Sequence, residues 1–219
     1  MNIGTISAIG RPFGLAFASG INAYLPLLSF AIANRWFHLF NVNPNFTFIM
    51  QDWCIIALIV LTLVDFVADK IPFVDHIWNA IHKLVRPITG AIVAAASVSH
   101  IPAIVTVPNS GHMVGVVVAA VSDSHVIEVG LLVVLLIGAI LAAMSHTAKT
   151  TTRWVSTFTT AGLFNMVLSA IEDVMVFIAI VLSLFVPFIM LIFIVLFVLV
   201  FGPGLLRVWG RLPGRRWRI

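Results

Sequence analysis

Long apolar stretches alternate with short polar ones along most of the chain, and the apolar stretches set its expected architecture. Runs near Phe13 to Ala33, Met50 to Ala68, Ile88 to Val107, Val126 to Met144, Val155 to Ile171 and Met175 to Phe201 approach or exceed the ~20 residues that an α-helix needs to cross a ~30 Å hydrocarbon core. The expected fold is therefore all-α, a polytopic membrane protein of about six transmembrane helices. The first run is of spanning length and has no cleavable small-residue site ahead of a soluble domain, so it reads as a helix and not as a signal peptide. Positive residues resist translocation and collect on the cytoplasmic side. With six spans and a cytoplasmic N terminus, eleven of the twelve Lys and Arg residues fall inside and only Arg35 outside. Both termini are accordingly expected in the cytoplasm.

Three spans carry irregularities. In the first, Gly10, Gly14, Ala18 and Asn22 recur every four residues and give one face small enough for close helix packing. Asn22, Tyr24 and Pro26 then place an amide, a phenol and a helix break within five residues, which frees backbone carbonyls as discontinuous transporter helices do. The fifth span is short and rich in hydroxyls and amides (Ser156, Thr157, Thr159, Thr160, Asn165, Ser169). It reads as a buried central helix or as a re-entrant half-helix. Pro187 near the middle of the sixth permits a kink or tilt. Two segments also echo one another. Gly90-Ala-Ile-Val-Ala-Ala-Ala-Ser97 matches Gly138-Ala-Ile-Leu-Ala-Ala-Met-Ser145, and Arg11 precedes Gly20 by the spacing with which Arg153 precedes Gly162. An internal repeat is one reading; low-complexity helix faces produce such pairs too.

The polar segment between spans two and three holds three of the eight acids. Val74, Ile77, Trp78, Ile81, Leu84 and Val85 follow helical spacing on one face, with Asp75, His76, Asn79, His82, Lys83 and Arg86 on the other. This pattern predicts an amphipathic helix lying along the cytoplasmic leaflet. Asp65 and Asp69 sit one helical turn apart at the end of the second span. A charge in hydrocarbon costs roughly 2.5 to 3.5 kcal/mol on insertion scales, so Asp65 is expected to face the bundle and to pair or titrate. One reading makes Asp65 and Asp69 a proton or cation relay with His82 as partner. The other makes them an ion-pair network with Lys70 and Arg86 that fixes the reversal at Pro72.

Composition agrees with the membrane reading: 61% of residues are hydrophobic and 9% charged, against roughly 25% charged in a soluble domain. The net charge of +4 comes largely from Arg207, Arg211, Arg215, Arg216 and Arg218. A basic tail beside a membrane helix suits anionic lipid headgroups better than nucleic acid, which is not expected as a partner. Cys54 is the single cysteine and fits no disulfide or CxxC pattern. HExxH, GxSxG and Walker-type motifs are missing from the sequence, so an enzyme is not expected, and neither is a cofactor. His100, His112, Asp123, His125 and Glu128 gather near an outer loop without a base. Their spacing fits no metal-ligand pattern, and no metal is assigned to them.

The pattern Asp65-x3-Asp69-Lys70-x-Pro72-x2-Asp75, followed by His82, Arg86-Pro87 and Gly90, with Ala18-Ser19-Gly20-x-Asn22-Ala23 upstream, resembles an uncharacterised bacterial domain-of-unknown-function family of small multi-pass inner-membrane proteins. The resemblance covers most of residues 14 to 95. It implies a bacterial inner membrane and brings no reaction with it. Where the family pattern carries Glu, this chain keeps the carboxylate as Asp65. The expected organisation is one transmembrane domain over residues 1–204 and a basic cytoplasmic tail over 205–219. The leading expectation for function is a small transporter or channel-like protein for a small solute, ion or lipid headgroup, with proton coupling and a homodimeric state among the expectations. Its path or relay is assigned to Asn22, Tyr24, Asp65, Asp69, Lys70, Asp75, His82, Arg86, Thr159, Thr160 and Asn165. The alternative is a non-transporting scaffold or lipid-organising protein.

Overall fold

Helix-forming apolar runs and the Gly, Pro and Asn positions between them decide where each element begins and stops. The computed structural model describes the backbone of residues 3–69, 72–98, 103–104, 118–119, 124–160 and 164–210. Its helices are α1 (Ile3–Ile21), α2 (Leu25–Arg35), α3 (Asp52–Ala68), α4 (Pro72–Ala96), α5 (Ser124–Thr160), α6 (Asn165–Phe185) and α7 (Pro187–Gly210), with a 3-10 helix over Pro44–Met50 before α3. Ala103–Ile104 pairs antiparallel with Val118–Ala119. Among the described residues, three segments are long and apolar enough to cross a membrane: Val129–Arg153, Val167–Phe185 and Pro187–Gly204. The 3-10 helix and α3, bent by 64°, make a fourth if they count as one span.

The outside of this bundle is apolar and its inside is partly charged. Ile56 and Leu63 of α3 and Leu199 and Val200 of α7 are each 60% exposed or more, whereas Asp65, His82 and Arg86 are fully buried. That distribution suits hydrocarbon as the surrounding solvent, since ionisable groups in membrane segments turn toward the bundle interior. α4 follows the same rule and departs from the expected surface helix. Ile81, Leu84 and Ile88 face outward while His82, Arg86 and Thr89 face inward, and one unbroken helix runs from Pro72 to Ala96. His82 and Arg86 of the expected polar face serve the core, while Lys83 of that face is exposed.

α1 lies at the centre, and small residues let its neighbours close in. A Cβ at Gly10 would strike the backbone of Pro187, and one at Gly14 would strike Ser183 and Met190, on either side of the α6–α7 junction. Phe17 continues this seam edge-on to Phe193 at 5.6 Å and Phe197 at 4.8 Å. α1 and α7 therefore run parallel, so their described chain ends lie at opposite ends of the bundle, and not at one common end as expected for termini sharing the cytoplasm. α4 and α5 cross through the two echoing segments. A Cβ at Gly138 would lie 2.8 Å from both Ala94 Cβ and Gly90 O, and one at Gly90 would meet Ala142 and Gly138 O. The contacts exchange Gly90 with Gly138 and Ala94 with Ala142, so the matched segments pack antiparallel about a local two-fold relation.

The first and fifth expected spans are both corrected by contacts across their middles. Arg11 stacks on the Phe40 ring at 3.7 Å, which requires the chain to fold back between α1 and α2; Phe13 to Ala33 is a turn between two helices and not one span. Arg153 is paired with Glu172, so the two ends of the segment Val155 to Ile171 meet at one level. α5 instead continues to Thr160, and α6 returns from Asn165. The sixth run divides at Val186, whose φ of −133° and ψ of 59° end α6, because Pro187 lacks the N–H that would continue the helix.

Candidate functional site

The turn after α1 leaves a helix end inside the bundle, and charged side chains from four other helices gather against it. Asn22 makes the turn possible. Its Oδ1 accepts from the backbone N–H of Tyr24 at 3.2 Å and Leu25 at 2.9 Å, satisfying donors at the start of α2. Pro26 in the first turn of α2 has no N–H to satisfy. The carbonyls closing α1 then face cations and a hydroxyl: Arg86 Nη1 donates to Gly20 O at 3.5 Å, Lys149 Nζ to Ile21 O at 2.9 Å, and Ser145 Oγ to Phe17 O at 2.7 Å. Cations are favoured there because the helix dipole ends negative.

Two carboxylates of α3 and one of α6 balance these bases. Lys149 Nζ donates to Asp69 Oδ2 at 2.6 Å and lies 3.4 Å from Glu172 Oε2. Arg153 reaches Asp69 Oδ2 at 3.3 Å and pairs with both oxygens of Glu172. Burial alone would raise the Asp69 carboxyl, but Lys149, Arg153 and Arg86 together outweigh it and hold Asp69 below the ordinary carboxylate range.

Asp65 sits one turn deeper and is less completely held. Its Oδ1 accepts from Trp78 Nε1 at 2.7 Å. His82 Nε2 and Arg86 Nη2 approach the same oxygen only to 3.5 Å and 3.9 Å, and Arg86 Nη2 stays 4.0 Å from Asp69 Oδ1. Arg86 spends its better hydrogen bond on His146 Nδ1, at 2.8 Å. Asp65 Oδ2, Asp69 Oδ1, His82 Nε2 and Arg86 Nε and Nη2 are consequently buried without a hydrogen-bond partner. Tyr24 packs edge-on against His82 at 5.7 Å, tying the pair to the α1–α2 turn.

Beside the cluster a cleft of about 270 Å³ opens between α1, α5, α6 and α7. Phe17, Phe193, Phe197 and Phe201 wall it, and Lys149 and Glu172 form its polar end.

Of the residues assigned to the path from sequence, Asn22, Tyr24, Asp65, Asp69, His82 and Arg86 come together here. Lys70 lies outside the described residues, as do the side chains of Asp75, Thr159, Thr160 and Asn165. The same holds for the side chain of Arg207, for Arg211, Arg215, Arg216 and Arg218, and for the side chains of the outer group His100, His112, Asp123, His125 and Glu128. Within the described set, Asp69 is paired by Lys149 and Arg153 as well as approached by Arg86. His146, Lys149, Arg153 and Glu172 were missed as site residues. Lys149 and Arg153 close an otherwise apolar run, and Glu172 interrupts one, a placement that marks function or pairing in a membrane helix.

The family model described as Domain of unknown function (DUF4126) matches residues 9–129 and 104–203. The chain belongs to this family. No curated protein and no solved structure matches it. The first match contains Asn22, Asp65, Asp69, His82 and Arg86, and the second contains His146, Lys149, Arg153 and Glu172, so both halves of the cluster belong to the family's region of the chain.

Proposed function

We propose that this DUF4126 protein is a small multi-pass transporter of a bacterial inner membrane, moving a small solute, ion or lipid headgroup past the α1–α2 turn with proton coupling. The observation that carries the reading is the convergence of three carboxylates, three bases and two histidines on the carbonyl end of a broken helix. Such a concentration of ionisable groups is costly in a membrane bundle, and broken helices with exposed carbonyls are the means by which transporters hold polar cargo at depth. The adjoining cleft gives the cluster an apolar side entrance. The charged end of the bundle is read as the cytoplasmic one, with the start of α1 on the opposite side, and anionic headgroups are the proposed partner of the arginine tail. A homodimer would extend the same path.

The test uses purified protein in liposomes on a solid-supported membrane, with a panel of small cations, anions and neutral solutes applied under a pH gradient. A solute-dependent current is expected in the wild type and is expected to be lost in Asp65→Asn and Asp69→Asn with the protein still folded. A second reading, a non-transporting scaffold, is favoured by the near-complete pairing of Asp69, Lys149, Arg153 and Glu172. Absence of any current across the panel, with both variants merely less stable, would establish that reading instead.

A further inference from the structure

We infer that Asp65 and His82 form a one-proton binding site, the only pair within the described cluster free to load and release a proton while the surrounding ion pairs stay closed. Its purpose rests on the transport reading; its existence rests on side-chain geometry alone. The other carboxylates of the cluster and its second histidine are locked. Asp69 is held by Lys149 and Arg153 and faced by Arg86. Glu172 is held by Arg153 and Lys149. His146 Nδ1 lies 2.8 Å from an Arg86 nitrogen. A guanidinium only donates, so Nδ1 must present its lone pair. His146 is thereby kept neutral, because a proton there would face a donor.

His82 is in the opposite position. Its Nδ1 lies 2.8 Å from the Trp78 carbonyl, which only accepts, so the hydrogen of the neutral ring is on Nδ1 and Nε2 carries a lone pair. Nε2 lies 3.5 Å from Asp65 Oδ1, and neither atom has a hydrogen to offer. Two buried acceptors face one another, His82 Nε2 has no partner, and Asp65 Oδ2 has none. Adding one proton repairs the contact: an N–H bond forms at Nε2, the ring becomes a cation, and it donates to the carboxylate of Asp65. Releasing the proton restores two facing acceptors, which favours their separation and movement of the His82 ring against Tyr24 of the α1–α2 turn.

The charged and titratable groups facing this pair come from every neighbouring element. They are Asp69 of α3, Arg86 of α4, Tyr24 of the turn, and His146 and Lys149 of α5. Arg86 stays 3.9 Å from Asp65, close enough to resist a second proton and too far to replace the first.

Full-length protein in lipid bilayers, labelled with ¹⁵N-histidine and ¹³C-aspartate, tests the site by solid-state NMR over about pH 4 to 8, extending below the range in which an exposed histidine changes charge because the His82 ring is buried. The resonances of His82 Nε2 and Asp65 Cγ are expected to shift together with one shared midpoint, because a single proton serves both. Asp69 Cγ and the His146 ring are expected not to move. A His82 ring that stays neutral across the range, or independent midpoints for the two residues, overturns the proposal. The wild-type titration decides without any variant. As an added check, Asp65→Asn is expected to abolish the His82 shift, and a shift that persists in the folded variant also overturns it. A coupled titration in a protein that carries no current would leave the proton site standing and remove the transport reading.

Discussion

Lys149→Met, combined with Asp69→Asn, measures how tightly the cluster is bound together. Lys149 Nζ contacts Asp69 Oδ2 at 2.6 Å, Ile21 O at 2.9 Å and Glu172 Oε2 at 3.4 Å, and its side chain is 3% exposed. Removing one partner from a buried pair leaves an uncompensated charge and costs about 3 to 5 kcal/mol. Arg153 remains 3.3 Å from Asp69 and still pairs with Glu172. The expected cost of Lys149→Met is therefore at the lower end, about 3 kcal/mol, or roughly a hundredfold in the unfolding equilibrium. Asp69→Asn is expected to cost a similar amount, since it leaves three bases around one fewer carboxylate. The double variant removes both charges and should lose far less than the sum, with a coupling energy of about 2 kcal/mol. Reversible unfolding in mixed detergent micelles, followed by tryptophan fluorescence, supplies the four values. Additivity within about 0.5 kcal/mol would mean that Lys149 and Asp69 are not energetically coupled, contrary to what direct contact predicts.

Gly90→Leu and Gly138→Leu should each destabilise the bundle by about 1 to 3 kcal/mol in the same unfolding assay through overpacking, because a Cβ at either position already meets the opposing helix. Gly204→Ala, with nothing within 4 Å of its Cβ, should be neutral or stabilising by up to about 1 kcal/mol. Asn22→Ala removes two bonds to backbone N–H groups and should cost about 0.5 to 2 kcal/mol, with hydrogen exchange rising first at Tyr24 and Leu25. Arg35→Ala breaks an exposed pair with Asp52, and its unfolding midpoint should shift by no more than about 1 kcal/mol implies.

Helical, membrane-type character and much of the site were legible in sequence because both follow local rules. The apolar runs gave the helices, and the one-turn spacing of Asp65 and Asp69, with His82 and Arg86 one turn apart on α4, identified half the cluster. Lys149, Arg153 and Glu172 were not identified as partners because pairing across 80 residues, as between Asp69 and Lys149, leaves no local trace. Hydropathy also does not distinguish a span from two shorter helices folded back on themselves. Phe13 to Ala33 is apolar enough for one crossing, yet Asn22 accepts from the N–H groups of Tyr24 and Leu25 that open a second helix, and Arg11 meets Phe40. On α4, Ile81, Leu84 and Ile88 point outward while His82 and Arg86 point in, a division that the spacing of apolar and polar residues does not by itself assign to one solvent or another. The similar Gly90 and Gly138 segments pack against one another, each groove receiving the other.

Access of water to the α1–α2 turn distinguishes a transport path from a sealed cluster. In a Cys54→Ala background, Ile21→Cys, which leaves the Asn22 bonds in place and lines the cleft beside the turn, can be challenged with a membrane-impermeant thiol reagent from each side of oriented vesicles. Transport past this turn predicts labelling from both aqueous faces, with the side of faster labelling changing as the pH gradient is reversed. Labelling from neither face would mean a permanently sealed ion-pair cluster and would contradict the account.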